Sequence, residues 1–330
     1  MKVNDKQSPI PVTIVSGFLG AGKTTLLNHI LTSEHGIKIG VLVNDFGSIN
    51  VDANLISEVD DGVVNLANGC VCCSIRMDLV KSILSLATME DRPDHIIIES
   101  SGVADPKGIV ESFNAPEIWE HILIDGVVTV VDADQALDVE GKEKELAEAQ
   151  VKGADLLLLN KVDLASEEKV EETEHWIKSL RPGVQIFPAV NCNVPFEVLV
   201  GSVAKSSSPK GELTGVDVSV NYVNNKKQHL HKHDLMFDTW TYRSDKPFKL
   251  DYIQQLLTNL PGELFRAKGV MYCQEKGDRP LILQLVGKRA TIKPMSSNKE
   301  SKQMTELVFI GRHQAINFNA LESALLQCLA

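Results

Sequence analysis

Gly17-Phe18-Leu19-Gly20-Ala21-Gly22-Lys23-Thr24 follows directly on the apolar run Val12 to Ser16, and Thr25 to Leu31 then spaces its apolar residues as a helix does. A short apolar run after Pro9 and Pro11 reads as a buried parallel strand. Strand, glycine loop and helix in that order form the setting in which such a loop cradles phosphates. Its glycines, Gly17, Gly20 and Gly22, let the backbone bend so that N–H groups point at phosphate oxygens. The helix N-terminus adds partial positive charge. Lys23 is expected to reach the β- and γ-phosphates, and the Thr24 hydroxyl to ligate magnesium. Ala21 and Thr25 complete the phosphate-binding stretch.

Two further segments lie at the ends of apolar runs. Leu156 to Leu159 leads into Asn160-Lys161-Val162-Asp163. A single carboxylate accepts both the N–H and the adjacent NH₂ on one edge of guanine, so Asp163 suits a guanine reader. Adenine has no such donor pair and would leave that carboxylate unmatched, which favours GTP over ATP. Asn160 and Lys161 would brace the loop and cover the base. His95 to Ser101 carries three isoleucines and then Glu99, followed by Gly102. A carboxylate at the end of such a strand would face phosphates or magnesium, and Gly102 could turn an N–H onto the γ-phosphate. The alternative is that Glu99 caps the following turn. Asp45, after the apolar run Ile39 to Val43, is a second candidate for magnesium or the attacking water, although Asn44 to Gly47 is also an ordinary turn sequence. Lys23, Asp45, Glu99 and Gly102 are the expected catalytic residues.

Between these halves stands Cys70-Val71-Cys72-Cys73. Thiolates suit zinc and copper(I), and three ligands would leave an open position for a metal that must be handed on. A redox pair and buried small hydrophobes are the competing readings. A second cluster, His229, His231 and His233, places three imidazoles on one face if the segment is a strand, where they could hold metal. A solvated strand edge would give the same pattern.

The other three cysteines are scattered through the 330 residues, which is no disulfide framework. No basic segment followed by a sustained apolar stretch opens the chain, and no run is long enough to span a bilayer. A net charge of −11 argues against nucleic acid or an anionic membrane as partner. A cytoplasmic protein is expected.

Strands near 12–16, 37–44, 95–100, 127–132, 156–160 and 185–189 alternate with helices near 74–89, 142–152 and 166–180. This predicts an α/β fold with a doubly wound, mostly parallel sheet. The charged run Glu140 to Glu148 reads as the solvated face of one helix. The expected organisation is a tail at 1–10, a P-loop domain at 11–201, a polar linker at 202–226 and a smaller α+β domain at 227–330. Strands are expected in that last domain near 231–242, 264–273, 281–286 and 305–311, with helices near 249–259 and 315–329.

Together, the glycine loop through Thr25, Cys70-x-Cys72-Cys73, Glu99-x-x-Gly102 and Asn160-Lys-x-Asp163 resemble the CobW-type GTPases, relatives of the GTPases that insert nickel into urease and hydrogenase. Arg266-Ala267-Lys268-Gly269 is similar to the CobW C-terminal domain. The resemblance implies slow GTP hydrolysis to GDP, zinc or a similar transition metal such as cobalt at the cysteine motif, and delivery to a client metalloprotein. It also implies GTP-dependent homodimerisation. Val43 and Ser48 stand where some members carry auxiliary glutamates, and Met1 to Pro11 lacks the Cys-Pro extension that docks a methionine-aminopeptidase client in others. Rival readings are a switch GTPase without metal delivery and a zinc-homeostasis protein that binds metal passively.

Overall fold

The computed structural model describes residues 9–33, 35–43, 63–65, 74–200, 217–223, 237–295 and 304–330. They group into two compact units, one within Pro9–Val200 and one within Gly201–Ala330.

In the first unit seven strands form one sheet: β1 (Ile10–Gly17), β2 (Ile39–Val43), β3 (Val63–Asn65), β4 (His95–Glu99), β5 (Ile122–Asp132), β6 (Leu156–Asn160) and β7 (Gln185–Ala189). Their order is β3-β2-β4-β1-β5-β6-β7, and every pairing is parallel. β2, β4 and β6 are buried at every position, as runs such as Ile96-Ile97-Ile98 and Leu156 to Leu159 require. A strand apolar on both sides must be covered on both sides. The helices are α1 (Lys23–Thr32), α2 (Ser74–Thr88), α3 (Pro106–Ser112), α4 (Pro116–Trp119), α5 (Gly141–Gly153), α6 (Glu167–Leu180) and α7 (Phe196–Val200). The charged run begins α5 as expected, with residues 141–145 exposed and Ala147, Gln150 and Val151 buried.

The strand order explains where a ligand would sit. From β1 the chain works outward through β2 and β3, returns to β4, crosses β1 to reach β5, and then moves outward the other way through β6 and β7. The winding direction therefore reverses at β1, and the crevice at the carboxyl ends of β4, β1 and β5 is the topological switch point of the sheet.

The second unit is a six-stranded antiparallel sheet backed by two helices. Its strands are β8 (Asp217–Val223), β9 (Phe237–Ser244), β10 (Leu264–Met271), β11 (Leu281–Val286), β12 (Arg289–Pro294) and β13 (Thr305–Arg312), in the order β12-β11-β10-β13-β9-β8. The helices α8 (Leu250–Thr258) and α9 (Phe318–Gln327) share its core with Trp240, Phe309 and Leu283. Trp240 lies 5.2 Å from the Phe309 ring and 5.7 Å from that of Phe318.

Two departures from expectation have local causes. Part of the segment expected to be linker, Asp217–Val223, is the edge strand β8 paired with β9. Its alternation of Val218, Val220 and Tyr222 with polar residues is a strand pattern that the surrounding Ser, Gly and Lys obscure. The unexpected β12 returns from β11 through the two-residue loop Gly287–Lys288, with Gly287 at φ 55°. A two-residue hairpin loop with positive φ is the favoured type for twisted strands.

Gly269 sits mid-strand, opposite Leu283 of β11 and Leu307 of β13. A Cβ there would collide with the backbone carbonyl oxygen of Glu306 and come within 2.9 Å of the Leu307 Cα. Gly269→Ala should therefore destabilise the C-terminal domain by at least ~2 kcal/mol, through backbone displacement at its central strand pair. Urea unfolding of the full chain checks this, and an unchanged midpoint would show that the strands yield without cost.

Candidate nucleotide-binding site

β1 ends at Gly17, and the glycine loop turns at Gly20 (φ 74°) and Gly22 (φ 114°) into α1. Gly22 is the helix N-cap in the left-handed region. A Cβ there would also stand 2.5 Å from the Asn160 Nδ2, so both conformation and space demand glycine. Ala21 is fully buried beneath the loop. Lys23 folds back over the loop, its Nζ donating to the Phe18 carbonyl at 3.0 Å. Gly20, Gly22, Lys23, Thr24 and Thr25 form one wall of a cleft of about 290 Å³; Glu99, Ser100, Ser101 and Gly102 form the other. The cleft thus lies at the switch point of the sheet.

Across it the Thr24 hydroxyl donates to Glu99 Oε1 at 3.1 Å. Glu99 is the last residue of β4 and only 4% exposed. A hydroxyl and a carboxylate side by side at the mouth of a phosphate loop form a hard oxygen donor set that fits magnesium. The chain then continues through Ser100, whose N–H extends the ladder to the Val15 carbonyl. A turn follows, closed by the Ala104 N–H to the Ser101 carbonyl, before Asp105 caps α3 by accepting from the Lys107 N–H. Gly102 presses on the phosphate loop: a Cβ on it would fall 2.6 Å from Leu19 Cδ2 and 2.9 Å from the Leu19 nitrogen.

The segment Asn160 to Asp163 joins this cleft through one side chain. Asn160, 2% exposed at the end of β6, donates through Nδ2 to the Ala21 carbonyl at 2.9 Å and accepts the Cys192 N–H through Oδ1 at 2.8 Å. The Cys192 thiol in turn donates to the Gly22 carbonyl at 3.3 Å. Lys161 is held at φ 63°, its Nζ 2.7 Å from Asp132 Oδ2. Asp163 is exposed.

Three residues of this arrangement escape sequence reasoning. Asp132 left a faint signal, a carboxylate closing the apolar strand β5 in register with Asn160. Cys192 left none. Both it (φ 55°) and Asn191 (φ 50°) occupy the left-handed region, and burial pushes its thiol up to about 12, so it is a protonated donor at neutral pH. Gln150, in the last turn of α5, donates from Nε2 to the carbonyls of Gly102 and Ala104, each at 3.1 Å.

Asp45, Cys70, Cys72, Cys73, His229, His231 and His233 lie outside the described residues. Among the described residues, no group of three or more His, Cys, Asp or Glu side chains is arranged to hold a metal ion. None of the described helices is long and apolar enough to cross a membrane.

Residues 11–188 match the family described as CobW/HypB/UreG, nucleotide-binding domain, and residues 237–329 match the cobalamin synthesis protein CobW C-terminal domain. Among similar proteins, the zinc chaperone CobW of Sinorhizobium sp is 32% identical over 93% of this chain and 94% of its own length. The zinc chaperone YjiA of Escherichia coli K12 is 32% identical over 92% and 94% respectively. The zinc-regulated GTPase metalloprotein activator 1 of Dictyostelium discoideum is 30% identical over 97% of this chain and 80% of its own. With the nucleotide-binding domain and the CobW C-terminal domain matched in order along nearly the whole chain, the protein belongs to the CobW/HypB/UreG family.

Proposed function

We propose that this protein is a GTP-hydrolysing metallochaperone that binds zinc or a similar transition metal at Cys70-x-Cys72-Cys73 and passes it to a client metalloprotein under nucleotide control. The observation that carries the nucleotide half is the Asn160 side chain. By bonding to Ala21 it brings the base-reading loop against the phosphate loop, so one nucleotide can span both. The metal half is supported by the chain path and by the relatives. The chain leaves β3 at Asn65, on the carboxyl edge of the sheet where the phosphate loop also lies, and re-enters the described structure at Ser74, the first residue of α2. Relatives named as zinc chaperones and as a zinc-regulated metalloprotein activator favour zinc and a metalloprotein client.

GTP enters with its phosphates over the N-terminus of α1. Lys23 exchanges the Phe18 carbonyl for the β- and γ-phosphate oxygens, and the N–H groups of Gly20 to Thr24 cradle them. Thr24 and Glu99, with Asp45, would hold magnesium, which when bound supplies charge neutralisation at the β- and γ-phosphate oxygens. Gly102 offers its N–H to the γ-phosphate, and Asp163 accepts the guanine N–H and NH₂ while Lys161 covers the base. No arginine lines the cleft among the described residues, so unassisted turnover should be slow. The γ-phosphate would meet Gly102 and bias the segment 45–60, and through it the cysteine motif, with GTP-dependent pairing of two copies and hydrolysis releasing the metal. His229, His231 and His233 are proposed as a second holding site for metal. A cytoplasmic location is part of the same proposal.

Two experiments test this. Metal-stripped protein is assayed for GTP hydrolysis with magnesium and titrated with zinc, beside Lys23→Ala and Cys72→Ala. Zinc should alter turnover in the parent and leave Cys72→Ala unmoved. Lys23→Ala should lose turnover by roughly 100-fold or more while still binding zinc. Identical hydrolysis in parent and Cys72→Ala at every zinc level would reduce the protein to a switch GTPase. The second experiment concerns the base. Xanthine carries a carbonyl where guanine carries its amino group, so Asp163→Asn should weaken GTP by roughly 100-fold or more and favour XTP. Unchanged nucleotide preference would remove Asp163 from the base site.

A further inference from the structure

The loop between β4 and α3 lines the phosphate cleft, yet only its ends belong to the regular structure. Ser100 continues the β4 ladder and Asp105 caps α3. The four residues between them, Ser101 to Ala104, include the half-buried Ala104 and the exposed Val103. A glycine-containing stretch of this kind would lose considerable conformational freedom if a nucleotide had to order it. Besides its own turn, in which the Ala104 N–H donates to the Ser101 carbonyl, it is held by the Gln150 side chain. That side chain is 1% exposed and comes from the last turn of α5, whose backbone is itself tied to β5 by the Thr129 hydroxyl bonding to the Gln150 carbonyl at 3.2 Å. Its amide spends one donor group on two carbonyls, those of Gly102 and Ala104. With Gln150 buried to that degree, little water competes for those bonds. On its other side Gly102 rests on Leu19. The loop is therefore clamped between α5 and the phosphate loop.

We propose that Gln150 is a positioning residue for GTP hydrolysis: it holds Ser101–Ala104 against the phosphate cleft in advance, so that Gly102 meets the γ-phosphate without the loop first being ordered. Gln150 touches neither nucleotide nor the reacting atoms and acts through Gly102. Its effect is therefore specific to the nucleotide that carries a γ-phosphate. GDP, held by the phosphate loop and the base reader, does not use it. This inference rests on the reading of the protein as a GTPase.

The test uses the full chain, with Gln150→Met keeping length and apolar packing while removing both donors, and Gln150→Glu placing an acceptor against two carbonyls. Affinities for GDP and for a non-hydrolysable GTP analogue are measured with single-turnover GTP hydrolysis, beside the parent and Lys23→Ala. GDP affinity should stay within about twofold, while analogue affinity and the hydrolysis rate fall about tenfold in Gln150→Met and further in Gln150→Glu, as the loss of two buried hydrogen bonds implies. Parallel loss of GDP and analogue affinity together with a lowered Tm would make Gln150 merely structural and overturn the proposal. So would variants indistinguishable from an active parent. A parent no faster than Lys23→Ala would instead defeat the GTPase reading, and the inference with it. Should Gln150→Met fail to fold, hydrogen exchange of the unmodified protein decides. Residues 101–105 should be protected to within about threefold alike with GDP and with the analogue, whereas a gain of about tenfold or more on adding the analogue would mean that the nucleotide orders the loop.

Discussion

The Asn160 side chain is the constraint on which the nucleotide site depends. Its two functional ends meet two different backbones, the Ala21 carbonyl in the phosphate loop and the Cys192 N–H in the loop after β7. Both partners are buried, so neither bond can be replaced by water, and a shorter or apolar side chain would leave two main-chain groups unsatisfied at once. The Cys192 thiol closes the circuit by returning to Gly22. Three loops from the ends of β1, β6 and β7 are thereby locked in one relation by side-chain bonds that no single loop could make alone. Gly22 shows how tight the relation is, since the space a side chain would need there is taken by Asn160 and Cys192.

The sheet makes this economy available. Parallel strands deliver their carboxyl ends to one edge, and the reversal of winding at β1 opens a crevice there. Lys23, Glu99 and Asn160 are far apart in sequence but each follows an apolar strand that ends at this edge. The polar chemistry is thus confined to one rim while the strand interiors remain dry. Even the rim is divided by layer, with Thr24 and Glu99 facing each other across the cleft and Gln150 reaching the same loop from helix α5.

Residues at strand ends were legible in the sequence because a buried parallel strand announces itself as an unbroken apolar run, and whatever polar residue ends it is conspicuous. Ile96 to Glu99 and Leu156 to Asp163 are such cases, as is the run into the glycine loop. β8 was hidden because a half-polar edge strand in Ser- and Lys-rich company has the composition of a linker, and β12 because Arg289 to Lys293 offers only Ala290 and Ile292 as apolar residues. Gln150 and Cys192 were opaque for a different reason. Each acts through a side-chain bond to a backbone group remote in sequence, and no periodicity or motif encodes such a partner. Gln150 was visible only as one position of an amphipathic helix, where its burial could not be told from that of its neighbours Ala147 and Val151.

The order of strands in the C-terminal sheet bears on the order of events during synthesis. β13 is the last strand made, yet it lies in the middle, joining β10 on one side to β9 on the other. Until Thr305–Arg312 has left the ribosome, the earlier strands can assemble only as separate halves, β8 with β9 and β10 with β11 and β12, each exposing the flank that β13 will fill. The parallel sheet of the N-terminal unit does not wait for β13, since all its strands precede Val200. A nascent chain can thus carry a finished nucleotide fold while its second sheet is still open-edged. That open interval is when the growing chain is most exposed to unwanted strand pairing.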